Sequence, residues 1–264
     1  MSISKRQESL LTGIYALGRR SGFLDTAPGQ WLFSRTYFLY KRLLEDPYAA
    51  LLRRFPDLLR GGNVLDVGAN IGYTAQLFSR AIDPEFKVYA FEPDEFNSRL
   101  LDRVASSPRA RGRIQAVRSA VGESDGSAEL WINPRHHGDH RIVTGSSNTL
   151  RVPLTTLDSF VANQHAPFPV RFIKVDVQGY EPAVCRGMEQ TLAQNPRAVV
   201  ALEYMPQALR ELGFEPRELL QWIAEKQYRV HILKDDGALQ PAPAGRLPAD
   251  GYVDLLLTHD KLIP

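Results

Sequence analysis

The chain has 264 residues, 44% hydrophobic and 23% charged, with a formal net charge of +2, a globular composition long enough for one sizeable domain and an added piece. A single cysteine, Cys185, excludes an internal disulfide framework and the CxxC pairs of structural zinc, and favours a reducing compartment. No apolar run approaches the roughly 18–20 residues of a membrane span, and the N-terminus lacks a signal-peptide h-region, so a soluble, cytoplasmic protein is expected.

Residues 1–60 read as a helical extension in which "WLFSRTYFLYKRLL" presents one oily face. They hold ten Lys/Arg against five acids, a net of +5 that leaves −3 for the rest. Attraction to an anionic substrate or peripheral contact with an acidic membrane is possible; a solvated helix surface is the plainer reading. The helices could form a lid or merely pack.

From Asn63 onward, short β-rich runs alternate with helical patterns: "NVLDV", "GYTAQLFSRAI", "KVYAFE", "DEFNSRLLDRVA" and "RIQAVRSAVG". A detour over 121–155 follows, read as a strand pair ("SAELWI", "TLRVPLTTL") around a long polar loop that reaches the functional edge. Then come "VRFIKVDV", helical "EPAVCRGMEQTLAQ", "AVVALEY", helical "PRELLQWIAEKQ", and two last strands, "YRVHIL" and "YVDLLLTH". The runs are nearly all apolar, which predicts a doubly covered, mostly parallel α/β sheet with helices on both faces.

The turn "DVGANIG" lies where the first strand enters a helix. Gly68 and Gly72 allow a close backbone approach to a ligand. A dinucleotide fingerprint would place its second glycine at Asn70, and Asp66 would repel a pyrophosphate. A cationic group, such as an amino-acid ammonium, would be welcome beside Asp66. Glu92 ends the second strand in "YAFEP", 26 residues past Asp66, where an acid accepts hydrogen bonds from ribose hydroxyls. A nucleoside bearing an amino acid satisfies both, and S-adenosylmethionine is that molecule. Ser119 and Ala120, at the end of the third strand, would flank its adenine.

The fourth strand ends in "FIKVDVQGYE", which brings Lys174, Asp176, Gln178, Gly179 and Glu181 to the same edge. Together with "VLDVGANIGYTAQLF", "YAFEPDEFN", "SAVGESDG", "VPLTTLDSF" and "VVALEY", it resembles the FkbM family of methyltransferases over roughly 61–205. The resemblance implies a class I methyltransferase fold over 61–264, Rossmann-like, with a seven-stranded sheet whose last strand is antiparallel. It further implies S-adenosylmethionine-dependent O-methylation of a sugar, glycan or natural product. By position, Asp66, Gly68, Asn70, Gly72 and Glu92 would touch the cofactor, with Ala69 and Tyr73 in the same loop.

Methyl transfer needs alignment and a group to take the hydroxyl proton. Asp176 is the leading catalytic candidate, with His140 in the polar loop and Glu181 as a second carboxylate. His136 and His137 look like surface residues. Magnesium is possible but not favoured, and no residue is assigned as a metal ligand. A nucleic-acid methyltransferase is the alternative, although "DVQGY" replaces the "DPPY"-like turn that stacks a flipped base, so no nucleic-acid partner is expected. A catalytically inactive cofactor-binding module is a further alternative. Oligomeric state and acceptor are not readable.

Overall fold

The computed structural model describes residues 21–44, 47–133, 140–143, 149–165, 167–243, 247–248 and 250–259. Two helices, α1 (Ala27–Leu44) and α2 (Pro47–Arg54), precede β1 (Asn63–Val67), α3 (Tyr73–Phe78), β2 (Val88–Phe91), α4 (Glu95–Ala105) and β3 (Ile114–Val117). The detour holds β4 (Ala120–Val121), β5 (Gly126–Trp131), β6 (Arg141–Val143) and β7 (Thr149–Thr155). After it come α5 (Leu157–Ala162), β8 (Val170–Val175), α6 (Glu181–Arg186), α7 (Glu189–Gln194), β9 (Val199–Tyr204), α8 (Pro206–Glu211), α9 (Pro216–Glu225), β10 (Arg229–Leu233), β11 (Leu239–Pro241) and β12 (Val253–Thr258).

Eight strands form the main sheet in the order β11-β10-β12-β9-β8-β1-β2-β3. β3, β2, β1, β8 and β9 run parallel, and β12 inserts antiparallel between β9 and β10. The expected reversal of the last strand is therefore present. The sheet has one strand more than the seven expected, because β11 folds back antiparallel on β10 at the edge. β1, β2 and β9 are buried along their whole length, which explains why their sequences run apolar without alternation. One core lies on the face covered by α5, α6, α7 and α9, with Leu65, Ile173, Val184 and Ile223. The other gathers Leu51, Phe78, Leu101 and Phe172 under α2, α3 and α4.

Two expectations change in detail. The strand pair of the detour is part of a four-stranded sheet, β4-β7-β5-β6, in which β5 and β7 pair antiparallel over six residues. The helix "EPAVCRGMEQTLAQ" is broken into α6 and α7 at Gly187 and Met188. A Cβ at Gly187 would lie 1.9 Å from the Gly122 carbonyl oxygen, so the detour presses directly on the break.

Candidate active site

At the carboxyl end of the parallel strands, Asp66 on β1 stands beside Lys174 on β8 as its register partner. Lys174 is buried, with Nζ 3.5 Å from Asp66 and 3.2 Å from Asp176, and it donates to the Gly68 carbonyl at 3.4 Å. Asp66 Oδ2 accepts from Thr74 at 2.7 Å, whereas Oδ1 has no hydrogen-bond partner and meets Lys174 only as an ion. Burial raises the Asp66 pKa, and Lys174 and Thr74 oppose the rise. The ammonium expected beside Asp66 is thus supplied first by the chain itself.

The glycines also serve the protein. Gly68 and Gly72 both have left-handed φ, +78° and +87°, and a Cβ on Gly68 would fall 1.8 Å from the Asp176 carbonyl oxygen. A Cβ on Gly72 would meet Leu101 at 2.8 Å. Their close approach is to β8 and to α4. The N–H groups of Gly68 and Ala69 donate to Phe91, at 3.1 and 3.0 Å, which locks the loop onto β2.

Glu92, next after β2, is buried. Its Oε2 accepts the Asn70 N–H at 2.9 Å and its Oε1 the Asp94 N–H at 3.0 Å. Burial pushes its pKa up to about 8, with those two N–H donors holding it lower than burial alone would. Asn70 itself is left-handed, φ 50°, a conformation asparagine tolerates better than most residues, and its buried Oδ1 has no hydrogen-bond partner.

His140 is fixed in the same quarter. Its Nδ1 accepts the Asn133 N–H at 3.1 Å, and its Nε2 lies 3.9 Å from Asp94, the residue that caps α4 by accepting from Asn97. This places His140 beside Asp94, just past the end of β2. β6 thus carries the histidine to the Glu92 side of the edge. His136 and His137 lie outside the described residues.

The β8 turn gathers a second set. Asp176 is partly open, its side chain 37% exposed. Its pKa is lowered: burial would raise it, but Lys174, Lys41 and Gln178 outweigh that. Gln178 has φ 56°, uncommon for a residue with a full side chain, and its amide donates to Asp176 at 3.0 Å and to Glu203 at 3.0 Å. Glu203, on β9, is register partner of Asp254 on β12, and burial and then Asp176 raise its pKa well above normal. Asp254 accepts from Tyr252 at 2.8 Å, and burial pushes it up to about 6.

Glu181 belongs to the turn itself. Its Oε1 accepts the N–H groups of Val177 and Gly179, at 3.0 and 3.2 Å, and burial takes its pKa up to about 7. A carboxylate so engaged shapes the loop that holds Asp176. Ser119 donates to the carbonyls of Ala120 and Pro153, and Ala120 sits in the core of the small sheet; both are engaged in joining β3 to β7. The sequence places Lys174 and Gln178 near the edge but does not show the buried Lys174 link or Glu203, since a lysine amid "FIKV" carries no signal of which carboxylates it meets.

The profile of the Methyltransferase FkbM domain matches residues 66–230, a span that opens on Asp66 and contains Glu92, Asp176 and Glu203. The chain belongs to the FkbM methyltransferase family. It is 29% identical over 171 residues to the hexuronic acid methyltransferase AglP of Haloferax volcanii, an alignment covering 64% of each chain; it thus spans under two thirds of that relative's length. Among solved structures, the O-methyltransferase TomG of Streptomyces achromogenes, in complex with S-adenosylmethionine, aligns with 81% of this chain and 79% of its own at 11% identity and a TM-score of 0.45. An O-methyltransferase of Bacillus cereus, in complex with S-adenosylhomocysteine, aligns over 82% and 81% at 14% identity and a TM-score of 0.44.

The residues present in this FkbM protein fit the cofactor. Asp66 Oδ1 and Asn70 Oδ1 are buried acceptors without hydrogen bonds, and they leave acceptor capacity for a ligand rich in hydroxyl and ammonium donors; Glu92 adds a carboxylate that already takes two backbone N–H groups and the Asn97 side chain. Among the described residues, no group of three or more His, Cys, Asp or Glu is arranged to hold a metal ion, and no helix is long and apolar enough to cross a membrane.

Proposed function

We propose that the protein methylates a hydroxyl of a sugar, glycan or related natural product. The observation that carries this reading is Asp176: a partly open carboxylate at the end of β8, held ionised by buried Lys174 beside the glycine loop. The relative that acts on a hexuronic acid supports a sugar as acceptor class.

In this reading Glu92 anchors the ribose, and Asp66, Gly68, Ala69, Asn70, Gly72 and Tyr73 bound the cofactor from the β1 side, with Ser119 and Ala120 behind the adenine. S-adenosylmethionine supplies, when bound, a methyl group on a sulfonium that an aligned oxygen can displace. Asp176 receives the acceptor hydroxyl's proton as the new bond to oxygen forms. Gln178 and Lys174 hold that carboxylate in one orientation, and the deeper acids, Glu203 and Asp254, whose pKa values burial raises, are suited to hydrogen-bonding a polyhydroxyl acceptor. The protein's share of the rate is alignment and water exclusion, both of which a buried edge provides.

Calorimetric titration with S-adenosylmethionine and S-adenosylhomocysteine, followed by a mass-shift screen of sugars, sugar nucleotides and glycans, tests the proposal. Binding of both ligands and the mass gain of one methyl on a hydroxyl compound are expected. Transfer confined to RNA or DNA would refute it.

A further inference from the structure

α1 has two working faces. Inward, Phe33 and Tyr37 are buried with Ile71, Phe96 and Leu100, and Phe38 meets the Tyr73 ring edge-on at 5.3 Å. The helix therefore roofs the glycine loop and the start of α4. Outward, Trp31, Leu32 and Leu39 are 59%, 50% and 57% exposed, and Phe23, in the turn just before the helix, is 44% exposed.

These outward residues form one face. At 100° per residue, Trp31, Arg35, Leu39 and Leu32 fall within a single arc of about 100°. Arg35 lies in that arc with its guanidinium 5.3 Å from the centre of the Trp31 ring. The helix sequence, "APGQWLFSRTYFLYKRLL", carries no acid; Arg35 is the cation on this face, whereas Lys41 lies against the inward Tyr37 ring and acts on Asp176, and the first 60 residues have a net charge of +5. Large apolar side chains interleaved with cations are what an interfacial helix presents to headgroups and acyl chains.

We propose that the outer face of α1 docks on an anionic lipid membrane, with the helix axis in the plane of the interface. Charge complementarity decides this occupant. A second copy joined about a two-fold axis would set this arginine-bearing, acid-free face against itself, whereas an anionic bilayer satisfies the arginine and takes up Trp31, Leu32 and Leu39 together. Because the opposite face of α1 packs on Ile71 and Tyr73, docking would hold the methyl-transfer site about one helix diameter, 10–12 Å, from the headgroups.

Flotation of the full-length protein with vesicles of phosphatidylcholine alone, and of phosphatidylcholine with phosphatidylglycerol, tests this. Binding to the anionic vesicles only, weakening as salt rises, is expected. The double variant W31S/L39S should partition at least about tenfold more weakly, and Arg35→Glu about thirtyfold more weakly, as a two-charge swing at the surface. Both should bind S-adenosylhomocysteine as the parent protein does, which shows that the roof is still folded. Equal partitioning onto neutral vesicles, or variants that partition like the parent, would overturn the proposal. So would a dimer in light scattering that W31S/L39S converts to monomer, since that would assign the face to a second copy.

Discussion

Replacing Lys174 by Met keeps most of the side chain's length and removes its charge from between Asp66 and Asp176. Lys174 is 3% exposed and Asp66 fully buried, so the variant leaves a buried carboxylate without its cation, a change worth about 3–5 kcal/mol when one member of a buried pair is removed. Asp176, with a side chain 37% exposed, is screened by solvent and adds at most about 1 kcal/mol. For a chain of this size the loss corresponds to a fall in Tm of roughly 6–20 °C. The pH dependence identifies the cause. Asp66 already titrates above the ordinary carboxylate range because of burial, and without Lys174 its pKa rises further. A raised carboxyl pKa destabilises the fold fully above the folded value, and the effect vanishes as pH falls toward the unfolded value near 4. Thermal melts of both proteins from pH 5 to 9 should therefore show a gap that is wide at pH 8 and narrows toward pH 5. A gap below 1 kcal/mol, or one of constant width, would show that Lys174 does not neutralise Asp66 and would refute the electrostatic account of this edge.

Glu92→Ala should weaken S-adenosylhomocysteine binding by about 1.5–3 kcal/mol in calorimetry, the worth of charge-assisted bonds to ribose; unchanged affinity would remove Glu92 from the ribose site. In the parent protein, adenosine, which has the ribose but no titrating amino acid, should bind more tightly as pH rises through about 8, where free Glu92 ionises, and a flat profile would sink that assignment. Asp176→Asn should lower the methyl-transfer rate about 10²–10⁴-fold while leaving S-adenosylhomocysteine affinity within a few-fold; a rate near that of the parent would leave the proton with another acceptor. Gln178→Gly suits the left-handed backbone but deletes the donor to Asp176 and Glu203, so the acidic limb of the kcat profile should move to higher pH without loss of Tm. His140→Ala should slow transfer by less than tenfold and act mainly through KM for the cofactor, because the imidazole stands over Asp94; a loss as large as that of Asp176→Asn would contradict its placement.

Much of this could be read without coordinates, and for physical reasons that are local. A strand buried on both faces must be apolar throughout, so "NVLDV", "YAF" and "VVALEY" announce themselves, and an acid or a glycine turn at their ends marks the carboxyl edge. Asp66, Glu92 and Asp176 were legible in that way, as was the reversed last strand through the family likeness. What decides their chemistry is register and topology, which depend on residues far apart in the chain. Lys174 becomes the partner of Asp66 only because β8 pairs with β1 in one register, and Glu203 meets Asp254 only because β12 inserts beside β9. The same holds for His140, which a polar loop could have delivered anywhere along the edge and which β6 sets at Asp94. The two faces of α1, one a roof over the glycine loop and the other open, likewise exist only once the helix has packed, since its periodicity supplies apolar residues nearly all round and leaves to the fold which of them are covered.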